Sequence, residues 1–186
     1  MPAITHVYVG LGSNLGDRAG NLLLALGGML DAGLRVARLS SVYETEPVGV
    51  PTEQPLFLNM VAELALDAGT TPAPPSPEQL LARLLRIEYR LGRRRARPLA
   101  PRTIDLDLLL YGDALARTEY LTLPHPRLHL RRFVLAPLAE LAPDAVHPIL
   151  GRSFAALLSE LSDASRVERW TPSGGREGLP ESEIFN

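Results

Sequence analysis

Apolar positions along the chain follow two periods. Between His6 and Leu11, Val36 and Glu44, Leu58 and Leu66, and Thr103 and Tyr111 they run together or alternate, as in strands with one face in a core. From about Arg18 to Ala32 and from Pro77 to about Leu91 the pattern turns helical. The second helix is well punctuated. Ser76 stands at the N-cap, Pro77 opens the first turn, and Leu80, Leu81, Leu84, Leu85, Ile87 and Leu91 form an apolar stripe. Strand, helix, strand, strand, helix, strand is the split βαβ order, which predicts an α/β (α+β) sandwich with a ferredoxin-like βαββαβ core, a largely antiparallel sheet and helices packed on it. Further helices are expected at Phe133 to Leu141 and Ser153 to Leu161, with a short edge strand at Glu168 to Trp170. Residues 1–170 read as a single domain, and 171–186, rich in Gly, Pro and Glu, as a loosely ordered tail.

The last strand of that core carries chemistry. In PRTIDLDLLLYG, Pro101 to Gly112, Asp105 and Asp107 alternate with Ile104, Leu106, Leu108 and Leu110. A strand therefore sends both carboxylates to one face, about 6.5–7 Å apart along the chain, and the four apolar side chains to the other. Such a pair repels itself and loses hydration unless a positive charge sits between its members. Mg²⁺ is the natural candidate, because it takes carboxylate oxygens and completes its shell with water and substrate phosphates. Arg102 and the run RRRARP, Arg93 to Pro98, flank the pair and point to a polyphosphate substrate. The plainer alternative is a solvated strand face with aspartate at alternate positions.

Two connections exceed what a compact domain needs. Thr45 to Phe57 joins two strands that a two- to five-residue turn could join, and Gly92 to Arg102 carries the arginines into the aspartate strand. Both lead into candidate site residues and read as lids. Gly10 to Gly16, GLGSNLG, superficially resembles a phosphate loop but lacks the lysine of one, so the glycines are read as serving the turn into the first helix, with Asn14 as a site neighbour.

Composition narrows the chemistry. With no cysteine, the chain has neither disulfides nor a thiol nucleophile. Its 19 side chains of the Lys and Arg class are all arginine, which excludes a P-loop lysine and a Schiff base. The N-terminus shows no basic segment followed by a long apolar one, so a cytoplasmic protein without a membrane span is expected. The arginine run could instead grip a nucleic acid backbone. A net charge of −2 and the adjacent carboxylates argue against that, and no nucleic acid partner is expected.

Taken together, VYVGLGSNLGDR (Val7 to Arg18), SSVYETEPVG (Ser40 to Gly49), QPLFLN (Gln54 to Asn59), PRTIDLDLLLYG and LTLPHPRLHLRRFVLAPL (Leu121 to Leu138) resemble the 6-hydroxymethyl-7,8-dihydropterin pyrophosphokinases of folate biosynthesis, in the family's order over residues 6–150. The resemblance implies an ATP-dependent diphosphotransferase whose small-molecule substrates are ATP and the pterin alcohol. It implies that Asp105 and Asp107 hold two Mg²⁺ ions, and that Arg93, Arg102 and Asp107 are catalytic. Glu88, Arg93, Arg95, Arg102, Leu108, Thr122, His125 and Arg131 fall where the family contacts nucleotide. Thr45, Val48, Phe57, Asn59, Asp105 and Phe133 fall where it holds the pterin. A monomer is expected.

Residue chemistry supports part of this set. Two aromatic faces such as Phe57 and Phe133 suit a flat heterocycle, and the Asn59 amide offers a donor and an acceptor to its edge. The chain departs from the family at Leu99-Ala100, where Trp-Gly is usual, and its arginine loop is one residue shorter than in some members. Pro126 stands where an aromatic can occur, and Tyr120 where arginine sometimes does. A binding protein that has lost activity is the remaining alternative, against which the presence of Arg93, Arg102, Asn59, Asp105 and Asp107 argues.

Overall fold

The central strand of the sheet, β1 (Ile4–Ser13), is almost wholly apolar between Val7 and Leu11 and pairs antiparallel on both sides. In this computed structural model, which describes residues 4–50, 53–70, 72–94 and 100–172, α1 (Arg18–Asp31) follows it. Next come β2 (Val36–Leu39), β3 (Tyr43–Thr45) and β4 (Phe57–Asp67), then α2 (Pro77–Arg90) and β5 (Asp105–Tyr111). A small hairpin, β6 (Ala116–Arg117) with β7 (Thr122–Leu123), leads to α3 (Arg132–Leu141), α4 (Phe154–Glu160) and β8 (Val167–Arg169). The main sheet runs β5-β1-β4-β3-β8, with β2 also on β4, and all its pairings are antiparallel. This is the expected ferredoxin-like order. Among the described residues no helix is long and apolar enough to cross a membrane.

The sheet has a core on each face. On one, Val7, Val9 and Leu11 of β1, Leu58, Ala62 and Leu64 of β4, and Leu106 and Leu108 of β5 meet Leu22 and Met29 of α1 and Leu80, Leu84 and Ile87 of α2. Each fully buried side chain of this size contributes about 1.5–3 kcal/mol in transfer free energy. On the other face Tyr8, Val61, Leu109 and Leu110 pack under Val134, Leu135 and Leu138 of α3 and Phe154 of α4. Glu63 is buried and held at 2.5 Å by both His6 and Arg38.

Both helices of the core start at a local cap, of which Ser76 is the one expected from the sequence. The Ser76 hydroxyl accepts from Gln79 N, and Gln79 Oε1 accepts from Ser76 N, a complete capping box. Asp17 caps α1 by accepting from Gly20 N at 2.9 Å. Three expectations need correction. The second strand is not continuous from Val36 to Glu44 but breaks at Ser40, whose hydroxyl takes the hydrogen bond of Val61 N at 2.9 Å in place of a backbone carbonyl. Leu110 does not share a face with Ile104, Leu106 and Leu108. The register of β5 on β1 slips between Val9–Leu108 and Tyr8–Leu110, so Leu109 is an extra residue and the alternation inverts after it. Finally, β1 runs on through Gly10 and Gly12 to Ser13, and only Gly16, at φ +64°, serves the turn. The expected edge strand exists one residue early, at Val167–Arg169, and Trp170 packs back against the core. Of the expected tail, residues 173–186 lie outside the described residues.

Candidate active site

Cross-strand register assembles the site. On the face covered by α3, Gly12 of β1 stands between Asp105 of β5 and Asn59 of β4, and Gly10 stands between Asp107 and Val61. The two glycines leave a shallow floor where side chains would otherwise stand. A Cβ on Gly12 would lie 2.6 Å from Asn59 Oδ1, closer than real contacts allow. A glycine inside a strand commonly marks such a close approach, and these two were missed as site residues because the run reads as a turn in sequence.

The walls of the cleft are Phe57 and Phe133, and Arg102 and Arg131 reach in with Asp105 and Asp107. The Arg102 guanidinium lies 5.1 Å from the Phe57 ring centre and that of Arg131 5.4 Å from the Phe133 ring centre. The cleft holds only about 30 Å³, a water or so. Ligand pockets are generally some 300 Å³ or more, so the cleft as it stands admits little beyond water.

Asn59 is aimed by its neighbour. Its Nδ2 donates to the buried Thr45 hydroxyl at 2.7 Å, which turns Oδ1 toward Gly12 and the cleft. Phe133 is placed by α3, whose last turn is tied to the sheet through Glu140. That carboxylate accepts from Ser41 N at 3.1 Å, Ser41 Oγ at 2.8 Å and Tyr43 Oη at 2.8 Å.

Both carboxylates sit where the sequence put them, on one face of β5. Asp105 is paired with Arg93 and lies 2.8 Å from Arg102 Nε. The Arg102 N–H is not aligned for a hydrogen bond there and has no partner among the described atoms, so this is a charge contact only. Burial, and then the negative charge of Asp105, pushes the Asp107 carboxyl up to about 6. The charges of Arg131 and Arg102 offset that shift only in part. Two oxygen-donor carboxylates beside arginines fit a hard cation that takes its other ligands from water and phosphate. Among the described residues no group of three or more His, Cys, Asp or Glu is placed to hold a metal ion.

Several expected nucleotide contacts are placed differently. Glu88 is buried under β5, where Oε1 accepts from Leu106 N at 2.8 Å and from Arg93 at 3.0 Å. It thereby fixes the backbone between the two aspartates. The Leu108 side chain faces the α1–α2 core and can offer a ligand only its backbone. Thr122 and His125 line a separate hollow of about 580 Å³ with Arg117, His129 and Ile149. There Arg127 N donates to His125 Nδ1 at 3.2 Å, so the neutral ring carries its proton on Nε2. Burial, and then the charges of Arg131 and Arg127, push the His125 pKa down to about 4. Val48 is exposed and does not line the cleft, and Arg95 and Leu99 lie outside the described residues.

Asn14 proves more than a neighbour. Fully buried, it accepts from Arg102 N at 2.8 Å through Oδ1 and donates its own N–H to Arg102 O at 3.1 Å. Its Nδ2 reaches Gln54 Oε1 at 3.2 Å and Pro55 O at 3.4 Å. One side chain therefore pins the ends of both long loops. Arg18 adds a bond to Leu56 O at 2.8 Å and a salt bridge to Glu44 at 2.8 Å. Gln54, Pro55 and Arg102 are distant in sequence from Asn14, so only the flanking motif hinted at these contacts.

The chain is similar in sequence and in fold to known proteins. The profile of the 7,8-dihydro-6-hydroxymethylpterin-pyrophosphokinase (HPPK) family matches residues 8–143. The chain is 44% identical over 167 residues to the 2-amino-4-hydroxy-6-hydroxymethyldihydropteridine pyrophosphokinase of Methylorubrum extorquens, covering 89% of this chain and 99% of the relative. To the Synechocystis sp. protein of the same description it is 41% identical over 181 residues, 95% of this chain and 87% of the relative. It is also 40% identical over 157 residues, 84% of this chain, to the folic acid synthesis protein fol1 of Pneumocystis carinii, of which it spans only 20%. Among solved structures, wild-type Plasmodium falciparum HPPK-DHPS with pteroate superposes with a TM-score of 0.63 at 14% identity, covering 86% of this chain and 43% of that one, and so supports the fold. With a family match over most of its length and relatives above 40% identity matched nearly end to end, the chain belongs to the 7,8-dihydro-6-hydroxymethylpterin-pyrophosphokinase family.

Proposed function

We propose that this chain transfers pyrophosphate from ATP to the hydroxymethyl group of 6-hydroxymethyl-7,8-dihydropterin, giving AMP and the pterin diphosphate, at the cleft between Phe57 and Phe133. The observation that carries this reading is the convergence on one sheet face of two carboxylates, three arginines, a preset amide and two aromatic walls. Phe57 and Phe133 sandwich the pterin ring, and Asn59 Oδ1 accepts from its edge. Gly10 and Gly12 let the ring and its hydroxymethyl arm approach β5. Val48 closes over the ring only if its loop moves inward.

Asp105 and Asp107 would hold Mg²⁺, two ions in this reading, which when bound neutralises the polyphosphate and activates the attacking alcohol. Arg93, Arg102 and Arg131 supply positive charge to the phosphate oxygens, where most of the catalytic stabilisation in this class of reaction arises. Neutral His125 donates Nε2–H to the nucleotide without adding charge, and Thr122 beside it offers a hydroxyl. The working unit in this reading is a monomer. The three arginines face inward on carboxylates and aromatic rings, a geometry that serves a small anionic substrate better than a nucleic acid backbone.

Phosphorus NMR of a mixture of protein, ATP, Mg²⁺ and the pterin alcohol tests the reading. Resonances of AMP and of a pterin diphosphate are expected, both dependent on the pterin. ADP in place of AMP, or AMP formed equally without pterin, would overturn it.

A further inference from the structure

Both oxygens of Asp105 already face cations in this structure. Arg93 pairs with Oδ1, and Arg102 Nε stands 2.8 Å from Oδ2. The same Arg93 nitrogen donates to Ile104 O at 2.9 Å and lies 3.0 Å from Glu88, so the guanidinium keeps a buried anionic partner whether or not it holds Asp105. Arg102 is differently poised. It is stacked on Phe57, its backbone is pinned by Asn14, and its buried Nε–H is not spent on any aligned acceptor. A hard cation needs the carboxylate oxygens that these two side chains cover. Taken up alone, it would also leave two guanidinium groups facing a dication at close range in a partly buried site, where screening is weak. A polyphosphate removes that conflict, because its oxygens give both arginines new and better aligned partners.

We propose that Arg93 and Arg102 are specificity-determining residues that keep free divalent cations off Asp105, so that the site accepts the cation only together with a polyphosphate. This rests on the reading of Asp105 and Asp107 as the cation-holding pair. The discrimination lies in the two arginines, which act as cations in residence until an anion draws them away. Arg93 then swings between Asp105 and the phosphate on its Glu88 anchor, and Arg102 spends its free N–H.

Mn²⁺ in place of Mg²⁺ makes this measurable without turnover, by the electron paramagnetic resonance signal of the unbound ion. Wild type, Arg102→Gln, Arg93→Gln and Asp105→Asn combined with Arg102→Gln would each be titrated with Mn²⁺, alone and with the non-transferable nucleotide α,β-methylene-ATP. Each arginine variant is expected to bind Mn²⁺ alone at least tenfold more tightly than wild type, with the nucleotide removing most of that difference and Asp105→Asn abolishing the gain. Arg93→Gln removes a bond to buried Glu88, so its fold is checked by circular dichroism beside that of Arg102→Gln; where only Arg102→Gln folds, it decides alone. Equal or weaker binding of Mn²⁺ alone by a folded Arg102→Gln, beside Mn²⁺ binding by wild type with the nucleotide, would overturn the proposal and leave the carboxylate reading standing. No protein-bound Mn²⁺ in any variant, even with the nucleotide, would overturn both.

Discussion

The two faces of the sheet are built from the same strands and do opposite work. Toward α1 and α2, alternate residues of β1, β4 and β5 are Val, Leu, Met and Ala, all buried, as far as Ser13 at the end of β1, which meets Asn21 of α1. Toward α3, the positions between them are Gly10 and Gly12, Asn59, and Asp105 and Asp107. The apolar face is closed by helices along its length. On the other face α3 and α4 cover Tyr8, Val61, Leu109 and Leu110 and stop short of the glycine rows. A strand buried on one side is a stiff support, and a site built on it needs only small or charged residues on the other. Stability and chemistry are therefore separable at adjacent residues.

The largest expected effect breaks this comparison at β5. Asp107→Ala should lower kcat at least 10³-fold while leaving thermal stability unchanged or slightly raised, since it removes a crowded buried carboxyl. Leu108→Ala, one residue on, should do the reverse. It should cost about 2–5 kcal/mol in urea unfolding, with kcat close to wild type in the folded fraction. If the two variants lost activity and stability alike, the faces would not be separable.

Gly12→Ala tests the floor. The new methyl displaces Asn59 Oδ1 from its place, so KM for the pterin should rise more than tenfold while KM for ATP changes little. Steady-state kinetics with each substrate varied in turn checks it. Asn14→Ala should lower stability by about 1–3 kcal/mol, because Arg102 N and Gln54 lose a buried partner, and should raise both KM values, because both loops lose their pin.

The smallest effect concerns pH. His125 has a folded pKa of about 4, below its unfolded value near 6.5, so the unfolded chain binds more protons between those values. Its contribution to stability is complete above pH 6.5 and is lost as pH falls toward 4. Wild type should therefore lose about 1–3 kcal/mol more than His125→Gln between pH 7 and pH 4.5, as read by urea unfolding at each pH. A parallel decline of the two proteins would show that the ring is not held neutral.

Much of this was legible before any coordinates. Period-2 alternation located β5 and set both aspartates on one face, and the Ser76–Pro77 pattern located the start of α2, because these signals are local and steric. What stayed hidden depends on partners far away in sequence. The bulge at Leu109 exists only relative to β1, and the break at Ser40 only relative to Val61. The resemblance sets Glu88 at the nucleotide, and that Leu106 N and Arg93 bond to it under β5 shows only in the fold. Gly10 and Gly12 look like turn residues in a glycine-rich string. Their role follows from what stands on β4 and β5 beside them.

The most direct test of the central claim is AMP formation by Asp107→Ala beside wild type, with ATP and Mg²⁺, in the presence and absence of 6-hydroxymethyl-7,8-dihydropterin. The account predicts rapid pterin-dependent AMP from wild type, none after chelation by EDTA, and essentially none from a folded Asp107→Ala. Turnover by that variant within a few-fold of wild type would contradict it.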